Sequence, residues 1–135
     1  MIGDELKART RQFALDVIDL CLNLGTGDVA KLIRPQLLRA GTGVAANHRS
    51  ATRCRSDREF ASKLLIVVEE ADESELWLDV LEAKKGGPLD LVRALRREAQ
   101  ELRAIFVASR RTVLENIKRR RREKVQRRTN SRTKP

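Results

Sequence analysis

Apolar side chains recur along this chain at alternating steps of four and three, and they do so in four separate stretches. Steps of four and three average to the 3.6-residue period of an α-helix, so each stretch places its apolar residues on one face. The first stripe is Leu6, Thr10, Phe13, Val17, Leu20 and Leu24, with Ala14, Ile18 and Cys21 beside it. The second holds Leu37, Gly41, Val44 and His48 in register. The third is Phe60, Leu64, Val67, Ala71, Ser74, Leu78 and Leu81, flanked by Ile66, Glu70, Glu73 and Trp77. The fourth is Val92, Leu95, Ala99, Leu102, Phe106, Ser109 and Val113. Leu, Ala, Glu and Arg dominate the composition, which favours helices over sheets.

Boundary residues punctuate the pattern. Helix 1 is expected over about Asp4 to Leu24, stopped by Gly25 and Gly27, and helix 2 over about Asp28 to Arg49 with Asp28 as its cap. Pro35 either begins the regular part of helix 2 or kinks it after a first turn. "AGTGVAA" at its centre is almost all small. Two helical glycines cost about 1 kcal/mol each, which points to a neighbouring helix in close contact. "SDRE" at Ser56 to Glu59 fits a capping box, so helix 3 should begin at Asp57, and "KKGGP" should end it at Lys84 or Lys85. Pro88 suits the first turn of helix 4. From Leu89 to Thr133 no Gly or Pro intervenes. The expected fold is all-α, an antiparallel up-down four-helix bundle over residues 1–117. A basic tail follows over 118–135, helical at first and disordered beyond Arg128.

Charge divides along the same line. The 135-residue chain has a formal net charge of +10, but residues 118–135 hold 10 Lys or Arg against Glu123 alone, leaving residues 1–117 near neutrality. Lys118, Arg119, Arg120, Arg121, Arg122, Lys124, Arg127 and Arg128 form a footprint suited to phosphate backbones. The tail has no aromatic residue, which argues against base stacking. Arg49, Arg53, Arg55 and Arg58 surround the turn between helices 2 and 3 and are either a solvated turn or a second phosphate-binding patch. Helix 3 is acidic and helix 4 basic, so pairing between helices or subunits can absorb much of their charge. No apolar run reaches the ~18 to 20 residues that span a bilayer, no signal peptide is evident, and Cys21 and Cys54 are too few for a zinc cluster. The expectation is a cytoplasmic protein without a membrane partner or cofactor.

Catalytic and metal chemistry find little support. Glu69, Glu70, Asp72, Glu73, Glu75 and Asp79 cluster, but the Glu-x-x-His pairs of a di-iron bundle are missing, and His48 is the only histidine. No nucleophile motif accompanies His48, and "GTG" lies within a helix rather than between a strand and a helix. No catalytic residue or metal ligand is assigned.

"LLRAGTGVAANHRSATRCRSDREFASKLLIVVEEADESELWLDVL", together with "ELRAIFVASRRT" in helix 4, resembles the bacterial four-helix proteins related to those encoded in intervening sequences of 23S ribosomal RNA genes, the S23 family. The resemblance spans much of residues 34–112. It implies a non-enzymatic bundle that assembles as a barrel-shaped homopentamer. It also implies kinship with the accessory variability determinants of diversity-generating retroelements, which work with a reverse transcriptase and bind nucleic acid through a basic surface. Glu73 matches a family position beside the core row and is read as a structural partner for Asn47 or a helix 2 arginine. Taken together, the expectation is an oligomeric protein that contacts RNA or DNA through its tail and arginines. The alternative is a pentameric adaptor for a reverse transcriptase.

Overall fold

In the computed structural model, which describes residues 2–134, four helices account for nearly the whole chain: α1 (Ile2–Leu22), α2 (Asp28–Ala51), α3 (Asp57–Ala83) and α4 (Leu89–Thr133). There is no strand among the described residues. Consecutive helices pack on one another and α4 closes lightly onto α1, while the backbones of the two diagonal pairs stay apart and α2 meets α4 through side chains such as His48 and Phe106. Along the α3 and α4 seam Glu82 meets Arg93, Glu75 meets Gln100, Asp72 meets Arg103 and Asp57 meets Arg120, so numbering falls on one helix as it rises on the other.

All four apolar stripes converge inward. Phe13, Val17, Leu20, Ile33, Leu37, Val44, Leu64, Val67, Leu78, Leu81, Leu102 and Phe106 are almost wholly enclosed. Leu6, Phe60 and Val113 close the stripe ends as half-buried residues. Two polar residues sit inside this core without cost, because each hydroxyl donates to a carbonyl of its own helix: Thr10 to Leu6 at 2.9 Å and Ser74 to Glu70 at 2.8 Å. Gly41 explains the small-residue centre of α2. A Cβ there would stand 2.8 Å from Val17 Cγ1, so α1 and α2 touch where the side chain is missing.

Two helix starts differ from expectation, at Asp28 and at Glu59, while α3 ends at Lys84 as expected. Asp28 is the first residue of α2 rather than its cap; Gly27 occupies that position and no side chain caps the helix, leaving Asp28 to act through its charge at the positive helix end. Pro35 lies within α2, nearly two turns past its start. α3 closes on Lys85 rather than a glycine: Lys85 has φ 53°, its N–H donates to Glu82 O and Gly86 N–H donates to Leu81 O at 2.8 Å. That is a Schellman closure with lysine in the left-handed position. The capping box at α3 forms, with Glu59 N–H donating to Ser56 Oγ at 3.2 Å, but the Glu59 carboxylate accepts from Arg55 N–H instead of Ser56. The termination of α1 depends on a residue from the next helix. Arg34 donates to the carbonyls of Cys21, Leu24 and Gly25, the orphan acceptors of a helix end.

α4 has 45 residues, about 68 Å at 1.5 Å per residue, against 27 in α3. Its last fully buried residue is Phe106 and it stays partly covered to Ile117. Helix continues past Arg128, where disorder was expected, to Thr133. The Thr129 and Thr133 hydroxyls there donate to the carbonyls of Val125 and Thr129.

Candidate nucleic-acid interface

The terminal third of α4 is an arm. From Lys118 to Lys134 every described residue is exposed. This places Lys118, Arg119, Arg120, Arg121, Arg122, Lys124, Arg127 and Arg128 on one rod rather than on a loose tail. Arg120 anchors the rod's root by an ion pair with Asp57 at the start of α3. Around that root, Arg58 of α3 joins Ile117, Arg120, Arg121, Glu123, Lys124 and Arg127 in lining a cleft of about 400 Å³. Two elements thus contribute cations to one concavity, a geometry suited to phosphate oxygens. Arg58 was legible in the sequence as a turn arginine; only the packing of α3 against α4 brings it to the tail.

The other arginines divide. Arg53 and Arg55 are exposed in the turn that leads to Asp57 and so flank the root of the arm. Arg49 does not join them. It lines a separate groove between α1 and α2 with Lys7, Arg11, Ala8, Ala45 and Ala46. In the bundled part of α4 the charges are largely matched: Arg93 and Arg96 pair with Glu82, Arg96 with Asp79, and Arg103 with Asp72 and Glu75. Those contacts hold the Glu82 carboxyl below the usual carboxylate range, through the Arg93 hydrogen bond first and the Arg96 bond second. Arg9 of α1 reaches Glu98 and Glu101. Arg110 donates to Ala61 O at 3.1 Å. Helix 3 acids therefore pair with Arg93, Arg96 and Arg103, whereas Arg97 and Arg111 have no acidic partner among the described residues, and of the arm's cations only Arg120 joins such a pair.

Asn47 and Glu73 do not pair. Asn47 Nδ2 donates to Gly43 O at 2.8 Å within its own helix, and Glu73 accepts from Trp77 Nε1 at 3.4 Å. Glu70, three residues earlier, takes the place facing α2. Its carboxyl lies over Gly43, 2.6 Å from where a Cβ would stand, because glycine leaves room for it. Burial first, then Glu73 and Glu69, push the Glu70 pKa upward, while Arg39 opposes them. His48 is buried against Phe106 with ring centroids 5.1 Å apart, its Nδ1 has no hydrogen-bond partner, and burial lowers its pKa. Among the described residues no three His, Cys, Asp or Glu side chains are grouped as a metal ion requires, and no helix is long and apolar enough to cross a membrane.

No protein-family model matches the chain, and no curated protein matches it. Among solved structures it is similar to a protein of unknown function from the S23 ribosomal protein family of Bacteroides thetaiotaomicron, with 26% sequence identity and a TM-score of 0.74. The similarity covers 82% of this chain and 99% of that one, so part of this chain has no counterpart there. The S23 resemblance carried by residues 34–112 is thus matched by a solved S23 protein of the same four-helix fold.

Proposed function

We propose that this protein is a non-enzymatic, cytoplasmic nucleic-acid-binding protein of S23 type, an antiparallel up-down bundle assembled as a homopentamer, that grips phosphate backbones with its α4 arm. One observation carries the reading: the cations of residues 118–134 are exposed, nearly all of them on a continuous helix, and only Arg120 among them is paired with an acid, whereas Arg93, Arg96 and Arg103 of the bundled part of α4 are paired with acids of α3. Phosphate neutralisation releases roughly 0.7 to 0.9 counterion per contact, so such an arm binds with a steep dependence on salt. Five arms of net +9 would concentrate about +45 on one particle and raise avidity well beyond a single arm. Arg58, Arg53 and Arg55 extend the surface at the arm's root.

A salt titration of fluorescence anisotropy with the intact protein and a form ending at Ile117 tests this. The intact protein should bind RNA and DNA of unrelated sequence with a strong salt dependence, and the truncated form should stay folded and bind far more weakly. Full affinity in the truncated form would move the site onto the bundle. Absence of binding by either form would favour the second reading, an adaptor for a reverse transcriptase, which draws support from the exposed Leu32, Leu65 and Leu76 on the bundle surface.

A further inference from the structure

The arm's helix sorts its residues in a way that composition conceals. At about 100° per residue, Arg119, Glu123, Gln126, Asn130 and Thr133 fall on one stripe, spaced by alternating four and three like the apolar stripes of the core. The stripe is polar instead. Gln126 Nε2 and Asn130 Oδ1 lie 3.1 Å apart along it, which confirms that the two share a face. Lys118 and Arg122 border the stripe on one side, Arg120 and Arg127 on the other, and Arg121, Lys124, Arg128 and Arg132 complete the back.

A single phosphate strand offers charge to one side of such a rod, and its bases need aromatic platforms that the arm lacks. Cations on both flanks of a polar stripe instead match a channel whose two walls are phosphate and whose floor is base edges. The major groove of B-form DNA, about 12 Å wide, admits an α-helix of about 10 to 12 Å with its side chains, whereas that of A-form RNA is too narrow for side chains to read. Residues 118–133 extend about 24 Å, less than one turn of duplex. The stripe carries the chemistry that reads bases there: Gln and Asn pair with adenine, Arg with guanine, and Glu accepts from cytosine.

We infer that the α4 arm lies in the major groove of double-stranded DNA, with Arg119, Gln126 and Asn130 toward the base edges, Lys118 and Arg122 on the phosphates of one strand and Arg127, beyond the Asp57-paired Arg120, on those of the other. Arg58 at the root meets the phosphate beside the groove's entrance. The inference rests on the phosphate-binding reading above and adds the form of nucleic acid and the orientation of the helix.

The test uses the full-length protein and one sequence prepared as duplex DNA, duplex RNA and single-stranded DNA, with the truncated form alongside as the check on the arm itself. Duplex DNA should bind at least tenfold more tightly than the other two. A minor-groove ligand such as netropsin should leave binding intact, and bulky glucosylated cytosines in the major groove should weaken it at least tenfold. Val125 is exposed within the arm and belongs neither to the stripe nor to its cationic flanks, so Val125→Pro, which breaks the helix and leaves the charge unchanged, should lower affinity for duplex DNA about tenfold, while Val125→Ala, which keeps the helix, should bind as well as the parent. Binding that needs the arm but treats the three nucleic acids alike, or Val125→Pro binding as tightly as Val125→Ala, would overturn the groove assignment while leaving phosphate binding in place. Arm-independent binding would remove both.

Discussion

At Gly41 the missing side chain determines how closely two helices approach. Leucine is the better helix former, yet its Cβ would meet Val17 at 2.8 Å on the opposing helix, and no flexible chain end is there to yield. Gly41→Leu should therefore lose about 1 to 3 kcal/mol of stability in denaturant unfolding, overpacking outweighing propensity. His48 acts through protonation. Burial, and after it Lys7, holds the folded imidazole below its ordinary 6.5. The unfolded chain then binds the proton more readily, so this contribution is intact above about pH 6.5 and declines as pH falls below it. Thermal unfolding from about pH 7 to 5 should show a decline for the parent that is shallower in His48→Leu. Glu70, whose pKa is raised, contributes with the opposite sign in both proteins and so drops out of the comparison.

Among the elements, the ends of the helices are where local sequence signals and tertiary structure part company. The Ser56 cap of α3 was legible because it needs only residues three apart. The closure of α1 was not, because its cap is Arg34, brought back from the second turn of the next helix. At the end of α3 two glycines follow two lysines, and the left-handed position falls one residue earlier than the glycines suggest, on Lys85. Gly86 and Gly87 serve close packing instead, since a Cβ on Gly86 would meet Leu81 at 2.7 Å and one on Gly87 would meet Leu24 at 3.3 Å. Left-handed backbone costs a non-glycine residue about 1 to 2 kcal/mol. Lys85→Gly should therefore raise the unfolding free energy by up to about 1 kcal/mol once glycine's greater unfolded-state entropy is subtracted, measured by denaturant titration.

For the molecule as a whole, exposed leucines and the arm bear on assembly. Leu22 is 76% exposed, Leu32 59% and Leu76 52%, more apolar surface than a lone bundle of this size needs to leave in water. Trp77, on the row beside the third stripe, packs half-buried against the core and adds little to that surface. Light scattering at micromolar concentration should give about five times the 15.4 kDa of one chain, and a mass of one chain would remove both the pentamer and its avidity. Helix number, the apolar faces and the near-neutral bundle with its basic end were all determined by the sequence alone, because periodicity and charge are local and one-dimensional. Which acid faces α2, which arginine caps α1, and which cations join the arm were decided only by tertiary structure. Glu70 and Glu73 differ by less than one turn, and Arg58 and Lys124 are far apart in the chain. Partners of that kind are selected by the angle at which helices pack, a quantity no local pattern contains.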